Sequence, residues 1–85
     1  MSSDKDRKQI LVIDDEDKII RSISCLLKDK YAVFSATCGH EGLRHAKELL
    51  PDLVLLDLKL PDIWGMEVLE KLKELDNYIP VIVMT

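Results

Sequence analysis

Polar residues that could take part in chemistry directly follow three apolar runs of the sequence. Asp14 and Asp15 follow the first run, Asp57 follows the second and Thr85 follows the third. If the runs are strands of one parallel sheet, these side chains lie at its carboxyl edge, where open α/β sheets bind their ligands. We therefore expect three carboxylates and one hydroxyl to converge at that edge. The alternative for each aspartate is that it merely ends a strand because loops are polar.

Clustered carboxylates point to a particular chemistry. They repel one another and stay ionised together only if a cation lies among them or one takes up a proton. Oxygen ligands without a neighbouring His or Cys select Mg²⁺ or a similar ion, and Mg²⁺ commonly combines carboxylates with phosphate oxygens. Asp57, on an inner strand, is then the best-placed nucleophile toward phosphorus, and Thr85 can donate a hydrogen bond to a phosphoryl oxygen.

The strands that must position these residues are predicted from four segments. The runs 10–13, 53–56 and 81–84 are rich in Val, Ile and Leu and do not alternate with polar residues. Such runs are typical of parallel strands that are covered by helices on both faces. The segment 31–36 is less apolar and fits an edge strand.

Three amphipathic helices are predicted between the strands, because apolar residues recur there at steps of three and four. Their apolar stripes are Ile19, Ile20, Ile23, Leu26 and Leu27; Leu43, Ala46, Leu49 and Leu50; and Val68, Leu69, Leu72 and Leu75. Gly39 and Gly65 lie near helix starts, whereas Gly42 falls inside the second helix, where it costs about 1 kcal/mol relative to Ala. The order β-α-β-α-β-α-β predicts an α/β fold with a doubly wound parallel sheet.

Composition restricts the class of protein. The chain has 85 residues, with 12 Lys and Arg against 16 Asp and Glu, and a net charge of -4. That length fits one domain or part of one. The apolar runs are too short for a membrane span, and the acidic balance argues against direct nucleic-acid binding by this segment. The polar start lacks a secretory signal, so we expect a cytoplasmic protein whose residues 1–8 form a flexible tail.

Four motifs give the sequence a family resemblance. Segments 10–16, 51–62, 65–69 and 79–85 together resemble the receiver domain of two-component response regulators, the CheY-like family, from about Lys8 to the end of the chain. The resemblance implies a flavodoxin-like fold with strand order 2-1-3-4. It also implies a receiver truncated after the fourth strand, without the fifth strand and the last two helices.

The resemblance also assigns roles to individual residues. Asp57 would be the phosphoacceptor, taking its phosphoryl group from a sensor histidine kinase or a phosphotransfer protein. Asp15 and Asp57 would bind Mg²⁺ directly, Asp14 would bind it through a water, and the backbone carbonyl of Lys59 would complete the protein ligands. Thr85 would be the switch residue that contacts the phosphoryl group. By this resemblance we expect that the chain is not an enzyme, that it takes part in its own phosphotransfer and autodephosphorylation, and that it regulates an output, most often transcription.

Two departures from the family pattern leave alternatives open. The family's lysine after the fifth strand has no counterpart here, and Trp64 occupies a loop position where the family often carries Asp or Asn. Trp64 either packs over the site entrance or contacts a partner, or it is a semi-exposed loop aromatic.

The alternative function is that of a non-phosphorylated fragment that self-associates, as a homodimer or by domain swapping, through the open edge of its fourth strand. A phosphohydrolase of the haloacid-dehalogenase type would need Asp-x-Asp at the nucleophile, and the sequence Asp57-Leu58-Lys59 lacks it. The glycine-rich motif of a P-loop is absent too.

Overall fold

All seven predicted elements are present in the computed structural model, which describes residues 7–76 and 78–84. The elements are β1 (Gln9–Ile13), α1 (Asp17–Leu27), β2 (Ala32–Ala36), α2 (Gly39–Leu49), β3 (Leu53–Asp57), α3 (Gly65–Leu75) and β4 (Val81–Met84). The predicted alternation of strands and helices is confirmed, and Gly39 and Gly65 are the first residues of their helices.

The strands form one parallel sheet in the order β2-β1-β3-β4. This order confirms the doubly wound, flavodoxin-like arrangement and places β2 at an edge, as its weaker apolar character predicted. β1 lies in the interior, where Ile13 pairs with Ala36 of β2 and with Leu56 of β3. The ends of β1 and β3 are therefore adjacent.

Helices cover the sheet on both sides, which explains why the central strands do not alternate with polar residues. Leu11 and Ile13 of β1 pack into the core on the side of α2 and α3. Ile10 and Val12 pack on the opposite side, against the residues of α1. These four residues of β1 therefore all bury apolar side chains, whichever face of the sheet they point to.

Gly42 has a low helix propensity, but the packing of α2 against β1 requires a glycine at this position. A Cβ atom on Gly42 would lie 2.6 Å from the Cδ1 atom of Ile13. Only glycine lets the backbone of α2 approach β1 this closely, and this approach offsets the lower helix propensity of glycine.

The apolar stripes are narrower than the sequence pattern predicted. Four of the predicted stripe residues are exposed, namely Ile19, Leu26, Leu50 and Leu75. In α1, the face toward the sheet is defined by Ile20, Ile23 and Leu27, and successive helical positions are about 100° apart. Leu26 therefore points outward, with 82% of its surface exposed.

The chain is held in place at Arg7 and Lys8, two residues of the segment expected to be a flexible tail. The Arg7 guanidinium donates a hydrogen bond of 2.7 Å to the Lys28 carbonyl, and the Ala32 N–H donates one of 2.9 Å to the Lys8 carbonyl. The rest of that predicted tail lies outside the described residues. Within the described parts of the chain, no helix is long and apolar enough to cross a membrane.

The contrast between Leu72 and Leu26 gives a stability prediction. Leu72 of α3 is fully buried, so Leu72→Ala should lower the free energy of unfolding by about 2 to 5 kcal/mol. Leu26→Ala should change it by less than about 0.5 kcal/mol, because Leu26 is exposed. Urea denaturation of both variants measures this, and similar losses in the two would contradict the outward orientation of Leu26.

Candidate functional site

The pairing of β1 with β3 brings the three predicted aspartates together. Asp14 and Asp15 follow the last residue of β1, and Asp57 is the last residue of β3. One carboxylate oxygen from each of Asp14, Asp15 and Asp57 lies within 4.8 Å of the other two. The structure therefore places these carboxylates as the sequence pattern predicted, at the carboxyl edge of the sheet.

Asp14 is the most enclosed member of this carboxylate cluster, with only 5% of its surface exposed. Its backbone N–H donates a hydrogen bond of 3.0 Å to the Ala36 carbonyl, which continues the β1–β2 ladder by one residue. Its Oδ1 atom accepts a hydrogen bond of 2.9 Å from the Glu16 N–H, directly before α1. These contacts fix the Asp14 carboxylate, while Asp57 is half-buried and Asp15 is exposed.

The charge of Asp14 is unfavourable in this position. Burial raises the pKa of Asp14 above its usual value, the hydrogen bond from the Glu16 N–H opposes that rise, and the charges of Asp57 and Asp15 add to it. A cation between the carboxylates would remove both the desolvation penalty and the repulsion.

The loop that follows Asp57 is closed tightly onto the start of α3. The Lys59 N–H donates a hydrogen bond of 3.1 Å to Asp57 Oδ1, and the Gly65 N–H donates one of 3.0 Å to the Leu58 carbonyl. A Cβ atom on Gly65 would collide with the Leu58 backbone, so glycine is needed for this close approach. The hydrogen bond from the Lys59 N–H orients the Asp57 carboxylate.

The donor set fits a hard divalent cation. A concavity of about 480 Å³ opens at the carboxylates, lined by Asp14, Asp15, Glu16, Ile19, Asp57, Lys59 and Met84. Its side-chain ligands are carboxylate oxygens, without a histidine or cysteine among them, and this favours Mg²⁺ over transition metals. Lys59, whose carbonyl was predicted as a ligand, lies at the rim of the same concavity.

Two other residues singled out in the sequence are not part of this arrangement. Thr85 lies outside the described residues, so its predicted contact with the phosphoryl group stays a prediction. Trp64 stands directly before α3 with 74% of its surface exposed, and it lines a separate concavity along loop 58–64. It is thus a solvent-exposed loop aromatic and does not cover the carboxylates.

One polar residue near the site received no role from sequence reasoning. Asp62 lies in loop 58–64, and its carboxylate accepts hydrogen bonds from the N–H groups of Gly39 and His40. These partners are more than twenty residues away along the chain, so no local pattern identifies them.

Known proteins resemble the chain in sequence and in fold. Residues 10–85 match the family described as the response regulator receiver domain. The response regulator GacA of Pseudomonas aeruginosa is 40% identical over 80 residues, which cover 91% of this chain and 37% of that protein. The alkaline phosphatase synthesis transcriptional regulatory protein PhoP of Bacillus subtilis is 37% identical over 79 residues, which cover 92% of this chain and 33% of that protein.

A solved structure gives the same result for the fold. The response regulator receiver domain protein (CheY-like) from Methanospirillum hungatei JF-1 superimposes with a TM-score of 0.88 at 36% identity, over 91% of this chain and 62% of that one. The chain thus spans about a third of the length of the two curated relatives. The match over residues 10–85, the CheY-like strand order and the carboxylate cluster agree, and the chain belongs to the response regulator receiver domain family.

Proposed function

We propose that Asp57 accepts a phosphoryl group from a phosphohistidine, assisted by Mg²⁺ bound at the carboxylate cluster. The observation that carries this proposal is the convergence of Asp14, Asp15 and Asp57, with oxygens within 4.8 Å of one another at the carboxyl edge of the sheet. A chain that stabilised only its fold would gain nothing from three like charges at one point.

The transfer itself needs a nucleophile that is already oriented. Asp57 Oδ1 is held by the Lys59 N–H, so the carboxylate has a defined position at the mouth of the concavity. One carboxylate oxygen attacks phosphorus and forms a P–O bond while the P–N bond to the histidine breaks. The leaving imidazole keeps the electron pair and is reprotonated by solvent.

The predicted metal ligands are Asp15 and Asp57 directly, Asp14 through a water, and the Lys59 backbone carbonyl. Bound there, Mg²⁺ would neutralise charge that develops on the phosphoryl oxygens. Asp14 contributes a negative charge at a fixed position, because its Oδ1 atom accepts a hydrogen bond from the Glu16 N–H. Thr85 would donate its hydroxyl to a phosphoryl oxygen.

The partners follow from the chemistry of the donor. A phosphohistidine is supplied by a sensor histidine kinase or a phosphotransfer protein, and we infer that one of these binds at the carboxyl edge of the sheet in the cytoplasm. The chain acts as the acceptor in its own phosphotransfer and autodephosphorylation and not as an enzyme that turns over a separate substrate. PhoP of Bacillus subtilis is described as a transcriptional regulatory protein, which supports transcription as the output of the whole protein.

The variants Asp57→Asn and Asp15→Asn test the nucleophile and a metal ligand in separate measurements. In wild-type protein, incubation with acetyl phosphate and Mg²⁺ should add one base-labile phosphoryl group, and Asp57→Asn should abolish it because an amide is not nucleophilic. Asp15→Asn should weaken Mg²⁺ binding at least about 10-fold, since even outer-shell partners of a metal are worth about 10- to 100-fold. Intact mass spectrometry measures the first effect and titration calorimetry the second.

Asp76→Asn is the matched control for both, because Asp76 is an exposed aspartate at the end of α3 and is not part of the carboxylate cluster. It should behave as wild type. Labelling that persists in Asp57→Asn would refute the assignment of the phosphoacceptor.

Asp14→Asn tests the repulsion in the cluster. An amide oxygen can still accept the hydrogen bond from the Glu16 N–H, but one of three like charges is gone, so the melting temperature without Mg²⁺ should rise by about 2 to 5 °C at pH 7. Because the pKa of Asp14 is raised in the folded state, the wild type regains this stability as the pH falls through that pKa. The difference should therefore shrink in acid.

Added Mg²⁺ should stabilise the wild type more than Asp14→Asn, as differential scanning fluorimetry at several Mg²⁺ concentrations can show. An equal melting temperature for both proteins without Mg²⁺ would contradict the electrostatic strain at Asp14.

The second candidate function is self-association through β4. This strand lies at the edge of the sheet, and Ile82 on it has 53% of its surface exposed. An edge strand offers unpaired backbone groups to another chain, and a lysine on it discourages such pairing. If β4 pairs between copies, sedimentation should show a dimer whose fraction grows with concentration, and Ile82→Lys should return it to monomer.

Leu50→Lys is the control for this experiment, because Leu50 is an exposed apolar residue at the end of α2 and away from β4. It should leave the dimer intact. A wild-type monomer at all concentrations would eliminate this second function and leave the phosphoacceptor function unaffected.

A further inference from the structure

The carboxylate of Asp62 connects loop 58–64 to the first turn of α2. Asp62 Oδ1 accepts a hydrogen bond of 2.7 Å from the Gly39 N–H, and Oδ2 accepts one of 2.8 Å from the His40 N–H. Both oxygens are therefore engaged by the backbone of another element. The Asp62 side chain is 24% exposed, and the hydrogen bond from Gly39 is partly shielded from solvent, whereas the one from His40 is exposed.

These contacts complete a helix that has no cap of its own. The residue before α2 is Cys38, whose side chain makes no capping hydrogen bond, and the N–H groups of the first helical turn have no partners within the helix. Asp62 supplies the acceptors instead and places a negative charge at the positive end of α2. The hydrogen bond from the His40 N–H holds the pKa of Asp62 well below its usual range, and the one from the Gly39 N–H adds a smaller effect. The carboxylate is therefore ionised at neutral pH.

Apolar packing reinforces the same junction. A Cβ atom on Gly39 would collide with the Cγ1 atom of Ile63, so the start of α2 lies directly against the residue that follows Asp62. Ile63 also packs against the buried core on the α2 and α3 side. The junction therefore combines two charge-assisted hydrogen bonds with a close van der Waals contact.

The other end of loop 58–64 leads to the acceptor residue. The hydrogen bond from the Gly65 N–H to the Leu58 carbonyl closes the loop, and the hydrogen bond from the Lys59 N–H reaches Asp57 Oδ1. A continuous series of contacts thus runs from the start of α2, through Asp62 and the loop, to the Asp57 carboxylate.

We propose that Asp62 is a positioning residue that fixes loop 58–64 on the start of α2 and thereby sets the positions of the Lys59 carbonyl and the Asp57 carboxylate. This inference rests on the proposed function for its consequence, which is tighter Mg²⁺ binding. Its structural part, the immobilisation of the loop, can be tested without a metal or a phosphoryl donor.

Two substitutions and one control make the test specific. Asp62→Ala removes both acceptors, whereas Asp62→Asn keeps one acceptor oxygen, so it should retain the fold and show an intermediate effect. Asp52→Ala is the matched control: Asp52 Oδ2 also accepts a backbone hydrogen bond from another element, 2.7 Å from the Gln9 N–H, but at the opposite edge of the sheet. All variants are made in the full 85-residue chain.

The first readout is amide hydrogen exchange in the absence of Mg²⁺. In Asp62→Ala, exchange should accelerate at least about 10-fold at Gly39 and His40, which lose their acceptors. It should also accelerate at Lys59 and Gly65, whose hydrogen bonds join the loop to the end of β3 and the start of α3. Asp52→Ala should leave these four amides unchanged. Acceleration confined to Gly39 and His40 would show that Asp62 only caps α2, and would overturn the proposal.

The second readout is the dissociation constant of Mg²⁺, measured by titration calorimetry well below the melting temperature of each variant. Asp62→Ala should raise it about 10-fold, Asp62→Asn should raise it less, and Asp52→Ala should not change it. An unchanged constant in Asp62→Ala would overturn the proposal, because a purely structural role lowers stability without weakening the site of the folded protein.

The two readouts also distinguish the inference from the proposed function. If wild-type protein binds no Mg²⁺ and accepts no phosphoryl group, the proposed function fails. Faster exchange at Lys59 and Gly65 in Asp62→Ala would still support immobilisation of the loop by Asp62, and unchanged exchange there would overturn it.

Discussion

The parallel pairing of β1 with β3 is the constraint on which the site depends. Ile13 is in register with Leu56, so the residues that follow them, Asp14 and Asp57, lie side by side at the carboxyl edge of the sheet. A slip of one residue would turn the side chains of one strand to the opposite face and separate the two carboxylates. The hydrophobic core prevents that slip, because Ile13 and Leu56 are completely buried on the side of α2 and α3.

The fold therefore holds charges together that would otherwise move apart. Asp14 has little access to solvent, and its neighbours Asp15 and Asp57 carry the same charge, so without a cation we expect its charge to cost stability. A divalent cation bound among these carboxylates would reverse the sign of this interaction. The arrangement expected to weaken the fold would thus favour a cation, and folding and cation binding would be linked.

Close approaches of backbone give the site a rigid support. α2 lies against β1 because Gly42 has no side chain, and loop 58–64 lies against α2 and α3 because Gly39 and Gly65 have none. Asp62 adds hydrogen bonds where these pieces meet. A carboxylate on a strand end, followed by a loop fixed at both ends, is better defined than one on a free loop.

Much of this architecture can be predicted from the sequence, because its signals are local. The uninterrupted apolar runs identify the central strands, since a strand covered on both faces must be apolar at every position. The aspartates that follow those runs identify the site, since parallel strands share one carboxyl edge. The resemblance of the motifs to receiver domains adds the strand order, which periodicity alone does not determine.

Only the tertiary structure decides the features that depend on distant residues. Periodicity places Leu26 in an apolar stripe, but α1 turns its neighbours Ile23 and Leu27 toward the sheet and leaves Leu26 in solvent. Helix propensity alone makes Gly42 unfavourable, but the short distance between α2 and β1 requires a glycine there. Asp62 carries no local signal, because its partners are more than twenty residues away in sequence and become neighbours only after β3 pairs beside β1. Local physics determined which residues form strands and which polar groups follow them, and the packing of distant segments decided which atoms touch.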